Sequence, residues 1–596
     1  MQHFRRACSS SRSMIYVYAI ILCLCVIMPA ARTFPAPGND PAVEAKIQRI
    51  QNGLLTPVMI EGETSQTTKL VERMTQIRVP GVSIAVIHDG KIEWARGFGV
   101  TAIGNAPVTP DTLFQAASIS KPVAAMAVLR LVEAGKLDLD VDVNQYLKSW
   151  KISENSFTEH SKVTLRRLLS HSAGMTVQGF PGYASDEPVP TLVQVLNGEK
   201  PANNPAIVVD TVPGTIWKYS GGGYVVVQKL LEDVTGQPFP KIMQELVLGP
   251  CGMTHSTYEQ PLPSNRMAEA AMPHAPDGQS IKGGPPIYPE MAAAGLWTTP
   301  SDLARYAIAV QESLAGKPNS LLSAKMAREM LTPVLLDNGL GPRVGGSRQH
   351  PYFTHDGANI GFRCNLVAYN QGNGAVIMTN SDNGGQLANE ILPSIAHEYG
   401  WPDFQPVLQK LTTVAPKILE QYVGVYQLAP TVRLTVTIDN GQLMVQPSGQ
   451  GKVPTFPSSE TRFFTKVVDA QIDFNKDEKG AVTSLTLHQG GNDTNAPRIS
   501  DKMVERKEIS VPAEILKQYV GTYEIQPGLN VTITLEGNQL FTQVTGQPKF
   551  PLFAESETKF FLKIADAQDE FVKDEKGAVT HIIHRQGPDE VKIPKK

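Results

Sequence analysis

Phe114-Gln-Ala-Ala-Ser-Ile-Ser-Lys-Pro122 places Ser118 three residues before Lys121, at the head of an apolar run through Met126, Val128, Leu129, Leu131 and Val132 that stops at Gly135. The pattern predicts a helix, with Ser118 as its N-cap, Pro122 in its first turn and Gly135 at its exit. In a first helical turn, residues three apart share a face, so the Ser118 hydroxyl and the Lys121 amine can meet. A serine hydroxyl is a poor nucleophile until a base takes its proton, and a lysine of lowered pKa can be that base. The free N–H groups of a helix start also favour developing negative charge. The spacing alone is weak evidence. A chain this long contains about two Ser-x-x-Lys spacings by chance, and Ser556-Glu-Thr-Lys559 supplies a second one. The bland reading is an N-cap beside a solvated lysine, so the other segments must decide.

Outward from this stretch, Val82-Ser-Ile-Ala-Val-Ile87 and Lys91-Ile-Glu-Trp-Ala95 flank His88-Asp89-Gly90, which predicts a β-hairpin leading into the helix. Before it, Thr67 to Ile77 has a helical pattern. After it, Val163 to Met175 predicts a short amphipathic helix ending in a turn, with His171 read as helix-end packing. Pro213-Gly-Thr-Ile-Trp-Lys-Tyr-Ser-Gly-Gly-Gly-Tyr224 predicts a glycine loop carrying Tyr219, followed by a helix over Val225 to Val234 closed at Gly236. A loop tyrosine is commonly a packing residue. Beside a lysine, its phenol could instead serve as a general base. A helix start is predicted at Ser301. Strands are predicted at Tyr352 to Gly357, Gly361 to Tyr369 and Ala375 to Asn380, the last two joined by the turn Asn370 to Gly374. Strands that open and close a helical middle imply an α/β (α+β) domain, an antiparallel sheet flanked by helices.

The tail repeats itself. Ile418 to Gly424 recurs as Ile515 to Gly521, Glu460 to Phe464 as Glu557 to Phe561, and Lys476 to Thr483 as Lys573 to Thr580, each 97 positions on. Alternating stretches such as Leu434 to Ile438 and Val531 to Leu535 predict two tandem all-β barrels. The repeat also disposes of Ser556–Lys559. Its counterpart is Ser459–Arg462, and an arginine cannot be deprotonated to act as a base.

Composition is that of a globular protein, 41% hydrophobic and 19% charged, and a formal net charge of −3 argues against a nucleic-acid partner. Arg5, Arg6 and Arg12 precede an apolar run from Met14 to Ala31, so residues 1–33 read as a secretory signal or a membrane anchor, with residues 14–31 as the tether in the second case. Bulky Ile20, Ile21 and Leu22 before Cys23 argue against lipid attachment there. Of the remaining cysteines, Cys251 and Cys364 form one disulfide or stay as two buried thiols. No zinc-site spacing or phosphate-binding glycine loop is present, so neither a metal nor a cofactor is expected.

Ser118-Ile-Ser-Lys121, Tyr219-Ser-Gly221 and His355-Asp-Gly357, with the flanking Val163 to Met175 and Ala293 to Leu303, together resemble the class C β-lactamase and D-alanyl-D-alanine carboxypeptidase group of serine hydrolases. The resemblance covers about residues 60 to 400. It implies Ser118 as the acylated nucleophile, Lys121 sharing its proton, Tyr219 as general base or proton shuttle, and the N–H groups of Ser118 and Ala358 as the oxyanion hole. Such donors contribute about 3–4 kcal/mol to a transition state. His355-Asp-Gly357 falls where β-lactamases carry Lys-Thr-Gly, and relatives acting as D-aminopeptidases and esterases have His-x-Gly. His355 would then bind a substrate carboxylate in a pH-dependent way. Gly221 stands where asparagine is usual in the second motif. Both departures weaken a β-lactamase reading. The expected domains are 41–402 for the hydrolase and 412–492 and 509–590 for two lipocalin-like barrels, as after D-aminopeptidase-type relatives. The expected substrate is a small molecule or peptide: an ester first, a D-amino-acid or peptidoglycan-like amide second, a β-lactam last. The alternative class is a non-catalytic envelope binding protein on the same fold.

Overall fold

Val82 to Ile87 is apolar at nearly every position because its strand is covered on both faces. The computed structural model describes residues 40–596 except 63–66, 103, 105, 430–431, 449–450, 490–491, 501–507, 527–528, 545–548, 563–566 and 587–588. The expected signal or anchor at 1–33 lies outside the described residues. Six antiparallel strands form the central sheet: β1 (Gly81–His88), β2 (Lys91–Gly99), β3 (Arg343–Gly346), β4 (Pro351–Asn359), β5 (Phe362–Tyr369) and β6 (Gly374–Thr379), in the spatial order β2-β1-β6-β5-β4-β3. The predicted hairpin is present. Asp89 and Gly90 both take positive φ, 51° and 70°, as a two-residue turn of this hand requires.

Alternation sorts the strand side chains. Val82, Ile84 and Val86 pack with Ile47 and Ile50 of α1 (Pro41–Asn52) and with Ile391 and Ile395 of α5 (Gly384–Glu398). Ala85 and Ile87 face the larger helical side, which holds α2 (Ser120–Glu133), α3 (Gly221–Thr235) and α4 (Pro300–Leu314). Full burial of each Val or Ile contributes about 1.5–3 kcal/mol. The expected antiparallel sheet between helical layers is therefore the observed one.

Three local expectations need correction. Ser118 does not cap α2. It lies in a one-turn 3₁₀ helix, Ala117–Ile119, and α2 begins from Ile119 in helical geometry without a side-chain cap. The three glycines 221–223 are not a loop before a helix but the first turn of α3, capped by Ser220, whose Oγ accepts from Gly223 N–H at 2.9 Å. A Cβ at Gly222 would stand 2.6 Å from the Thr176 carbonyl, so chain approach, not flexibility, accounts for that glycine. Helix α4 is capped by Thr299, not Ser301, with Thr299 Oγ1 accepting from Asp302 N–H at 3.1 Å.

The tail forms two barrels. Eight strands between Gly424 and Ser500 close completely, and eight between Gly521 and Pro594 follow the same order, their ends meeting at the Tyr523–Lys595 bridge. Equivalent residues do equivalent work. Tyr422 stacks on Phe474 at 4.1 Å and Tyr519 on Phe571 at 4.3 Å. Tyr422 and Tyr519 donate to the Glu460 and Glu557 carbonyls. Ser556 Oγ accepts the Lys559 backbone N–H at 3.0 Å, as Ser459 does from Arg462 at 3.0 Å, so this Ser-x-x-Lys is a turn. The first barrel meets the rest of the chain where Phe464 packs on Val58 and Ile60, in a short strand paired in parallel with Val407–Gln409. Cys251 and Cys364 are free thiols.

Candidate active site

Ser118 sits on a turn that the surrounding structure holds from several sides. Ala117 takes φ 49°, an uncommon conformation for alanine. Ser120 Oγ donates to the Ala117 carbonyl at 2.5 Å and accepts from Leu296 N–H at 3.0 Å. Tyr258 and Tyr306 donate to the carbonyls of Ser120 and Pro122. Backbone strain of this kind persists only where neighbours over-determine it, and it concentrates at functional sites.

From the first turn of α2, Lys121 reaches back to Ser118. Its Nζ is 2.9 Å from Ser118 Oγ and donates to the Ala293 carbonyl at 2.8 Å, with the side chain 2% exposed. That carbonyl belongs to the short helix Met291–Ala294. Among the described residues no carboxylate pairs with Lys121. Glu290, at the start of that short helix, has its carboxyl pushed up to about 8 by loss of solvent.

Aromatic rings close over the amine. Lys121 Nζ stands 5.0 Å from the Tyr219 ring centroid and 5.8 Å from that of Tyr224. The Tyr224 hydroxyl donates to the Leu169 carbonyl, and burial raises its pKa well above the usual range, which keeps it a phenol. Tyr219 precedes Ser220, the cap of α3, and is partly exposed. Its ring lies 6.5 Å from that of His355.

His355, Gly357 and Asn359 occupy the inward face of β4, alternating with outward Asp356 and Ala358. Gly357 is required by contact. A Cβ there would be 2.2 Å from the Ala116 carbonyl and 3.3 Å from Ala117 Cβ, so β4 lies directly against the Ser118 turn. Asn359 ties the strand down through Gln115 and the Ala294 carbonyl. Ala358, next to Gly357, is exposed.

His355 requires a correction. Burial and then the nearby Lys121 charge push its pKa down to about 3. Its Nδ1 lies 2.7 Å from the Asp356 carbonyl, which fixes the neutral ring with that nitrogen protonated. Burial and the Lys121 charge thus disfavour the positive charge that a pH-dependent carboxylate anchor at His355 would need.

Pattern reading gave His171 packing at a helix end without naming a partner; its ring packs on Tyr219 at 4.3 Å and on Tyr224 at 5.4 Å. A signal was present: Ser170, His171 and Ser172 are three consecutive polar residues between Leu169 and Ala173, and all three are buried. Buried polar runs need partners, and partners imply built structure. Gly221 N–H is bonded to the Gln178 carbonyl at 3.0 Å, and a Cβ at Gly221 would meet the Phe180 ring at 3.0 Å. The 176–180 segment thus occupies the space beside Gly221.

The Beta-lactamase family model matches residues 67–399, and a second one, a domain of unknown function (DUF3471), matches 408–499 and again 505–592. Penicillin-binding protein 4* of Bacillus subtilis (strain 168) is 24% identical over 451 residues, covering 70% of this chain and 94% of that protein. Protein flp of Staphylococcus aureus (strain N315) is 27% identical over 243 residues, 40% of this chain and 45% of its own length. Among solved structures, an octameric penicillin-binding protein homologue from Pyrococcus abyssi aligns over 79% of this chain and 96% of its own, at 20% identity and TM-score 0.49. Among the described residues no helix is long and apolar enough to cross a membrane.

Proposed function

We propose that this chain, which belongs to the Beta-lactamase family, is a serine hydrolase that works through an acyl-enzyme on Ser118. The carrying observation is Lys121 Nζ at 2.9 Å from Ser118 Oγ, buried and without a carboxylate partner among the described residues. In this reading Lys121 takes the Ser118 proton as Oγ attacks the substrate carbonyl carbon. Negative charge develops on the carbonyl oxygen, and the N–H groups of Ser118 and Ala358 receive it. Tyr219, beside the amine, passes a proton to the departing alkoxide or amine. Water then attacks the acyl-enzyme by the same proton route in reverse, releasing the acid and restoring Ser118.

Charge and space support one substrate class over the others. With His355 neutral, the strand supplies no cation where a β-lactam carboxylate would be held. With Phe180 and Gln178 beside Gly221, a Cβ there would be crowded at 3.0 and 3.1 Å, which disfavours an asparagine. Both support an ester, or an amide of a small acyl or D-amino-acid group, over a β-lactam. Arg5, Arg6, Arg12 and the Met14–Ala31 run support export, with the envelope as the place of work.

The test uses one preparation of the full chain. A fluorophosphonate and a labelled penicillin are offered to wild type and Ser118→Ala, and p-nitrophenyl esters, D-amino-acid p-nitroanilides and nitrocefin are assayed in parallel. Expected are Ser118-dependent labelling by the fluorophosphonate and turnover of esters above anilides above nitrocefin. Folded wild-type protein that labels with neither probe and turns over no activated ester would end the proposal.

A further inference from the structure

The segment leading into Tyr219 is exposed from Thr215 to Trp217, yet a proton shuttle must be held to a fraction of an ångström. Ser220 Oγ donates to the Thr176 carbonyl and Lys218 pairs with Asp210, and His171 holds the segment on both sides of Tyr219. The His171 carbonyl accepts the Lys218 N–H at 2.8 Å, and His171 Nδ1 accepts the Ser220 N–H at 3.1 Å. His171 therefore binds the residues immediately before and after Tyr219, while its ring packs against the Tyr219 ring at 4.3 Å with 34° between planes. We propose that His171 is the positioning residue for Tyr219, a three-point clamp built from its carbonyl, its Nδ1 and its ring face. The inference rests on the reading of Tyr219 as the proton shuttle.

The clamp dictates a tautomer. Because Nδ1 accepts a backbone N–H, the ring proton is on Nε2, and Nε2 is buried without a protein partner. Adding a second proton would place a donor against the Ser220 N–H and a charge near Lys121. Burial, Lys121 and His355 all hold the ring neutral, in line with that requirement. His171 takes φ 58° as the residue that ends the short helix Leu165–Leu169, a conformation that asparagine also tolerates. Ordinary helix-end packing would need the left-handed turn but not the Nδ1 acceptor.

Two substitutions separate the parts of the clamp. His171→Asn keeps a side-chain acceptor near the Nδ1 position and accepts positive φ, but removes the ring. His171→Phe keeps the ring and removes the acceptor, leaving the Ser220 N–H unpaired. The proposal expects kcat for a p-nitrophenyl ester to fall about 100-fold in His171→Phe, the scale of a misplaced catalytic group. It expects kcat in His171→Asn to stay within about tenfold of wild type, and KM within about threefold in both. Thermal melts accompany the kinetics, and if His171→Phe does not fold, His171→Asn alone still decides by its kcat. The Tyr219→Phe background completes the cycle, where His171→Phe should cost no more than about twofold further. Wild-type kcat in folded His171→Phe, a fall of 100-fold or more in His171→Asn, or full additivity with Tyr219→Phe overturns the clamp. If Tyr219→Phe itself turns over at the wild-type rate, the shuttle reading falls and takes the clamp with it. A dead Tyr219→Phe beside an unaffected His171→Phe removes the clamp alone.

Discussion

Gly357→Ala is the substitution whose consequence the geometry defines most sharply. An added Cβ would stand 2.2 Å from the Ala116 carbonyl oxygen and 3.2 Å from its carbon. Carbon and oxygen need a separation of roughly 3.2 Å or more, so β4 and the Ser118 turn must part by about 1 Å. Neither side yields easily. The turn is fixed by Ser120, Tyr258 and Leu296, and β4 is paired to β5 from Tyr352 to Asn359. Overpacking of this kind costs about 1–3 kcal/mol of stability. The larger effect is on rate. The proposed oxyanion donors lie on the two elements being separated, and a displacement of about 1 Å costs on the order of 100-fold. Expected is a fall of about 100-fold in kcat/KM for a p-nitrophenyl ester, most of it in kcat, with a parallel fall in the rate of fluorophosphonate labelling. The control is Gly385→Ala, where nothing lies within 4 Å of the new Cβ in α5 and no loss is expected. Circular dichroism and melting distinguish unfolding from displacement. A folded Gly357→Ala enzyme with wild-type kcat/KM would refute the claim that the contact between β4 and the turn shapes the site.

The other expectations concern charge and space. Lys121→Met, which keeps most of the buried volume, should lower kcat by about 10²–10⁴-fold while leaving the melting curve near wild type, as single-turnover ester cleavage can show. Gly221→Asn should not create a penicillin-hydrolysing enzyme: its Cβ meets the Phe180 ring at 3.0 Å and the Gln178 carbonyl at 3.1 Å, so nitrocefin turnover should stay flat and stability drop by about 1–3 kcal/mol. Phe180→Ala in the same chain should restore part of that stability, and a gain in nitrocefin turnover without Phe180→Ala would contradict the reading. Acid should destabilise the fold through His355. Its pKa is about 3 when folded and about 6.5 when unfolded, so below pH 6.5 the unfolded chain binds a proton that the folded chain does not. That stability is complete above pH 6.5 and declines as pH falls towards 3, by about 2–3 kcal/mol at pH 4.5. His355→Gln should flatten the slope in urea titrations between pH 6.5 and 4.5.

The fold was legible because its signals are local and periodic. The Asp89-Gly90 turn, the doubly buried Val82 to Ile87 strand and the 97-residue repeat each announce an element or a duplication without knowledge of distant contacts. The Ser118–Lys121 contact was legible for the same reason, since a spacing of three within one turn fixes the meeting. The capping errors at Ser118 and Ser301 and the glycine loop before α3 are different failures. Propensity assigns serine to a cap and glycine to a loop. Here Ser120, Leu296 and Tyr258 hold a tighter turn at Ser118, and the close Thr176 carbonyl requires glycine inside a helix at 222. The partners of His171 were not legible, because Lys218 and Ser220 lie 47 to 49 positions away, where no periodicity reveals them.

The site's electrostatics tie these observations to its chemistry. Lys121 stands among neutral groups: burial and the Lys121 charge hold His355 and His171 uncharged, and burial keeps Tyr224 a phenol. A second fixed cation on β4, as in the Lys-Thr-Gly arrangement, would attract a substrate carboxylate but also repel the Lys121 ammonium. A neutral histidine removes both effects. The exchange of lysine for histidine at 355 thus alters two properties at once, the anion held by the strand and the proton balance of the amine beside Ser118. An enzyme rebuilt with His355→Lys should therefore not simply gain a carboxylate anchor. It should also shift the pH at which Ser118 acylates, and the pH profile of fluorophosphonate labelling measures that shift without any β-lactam present.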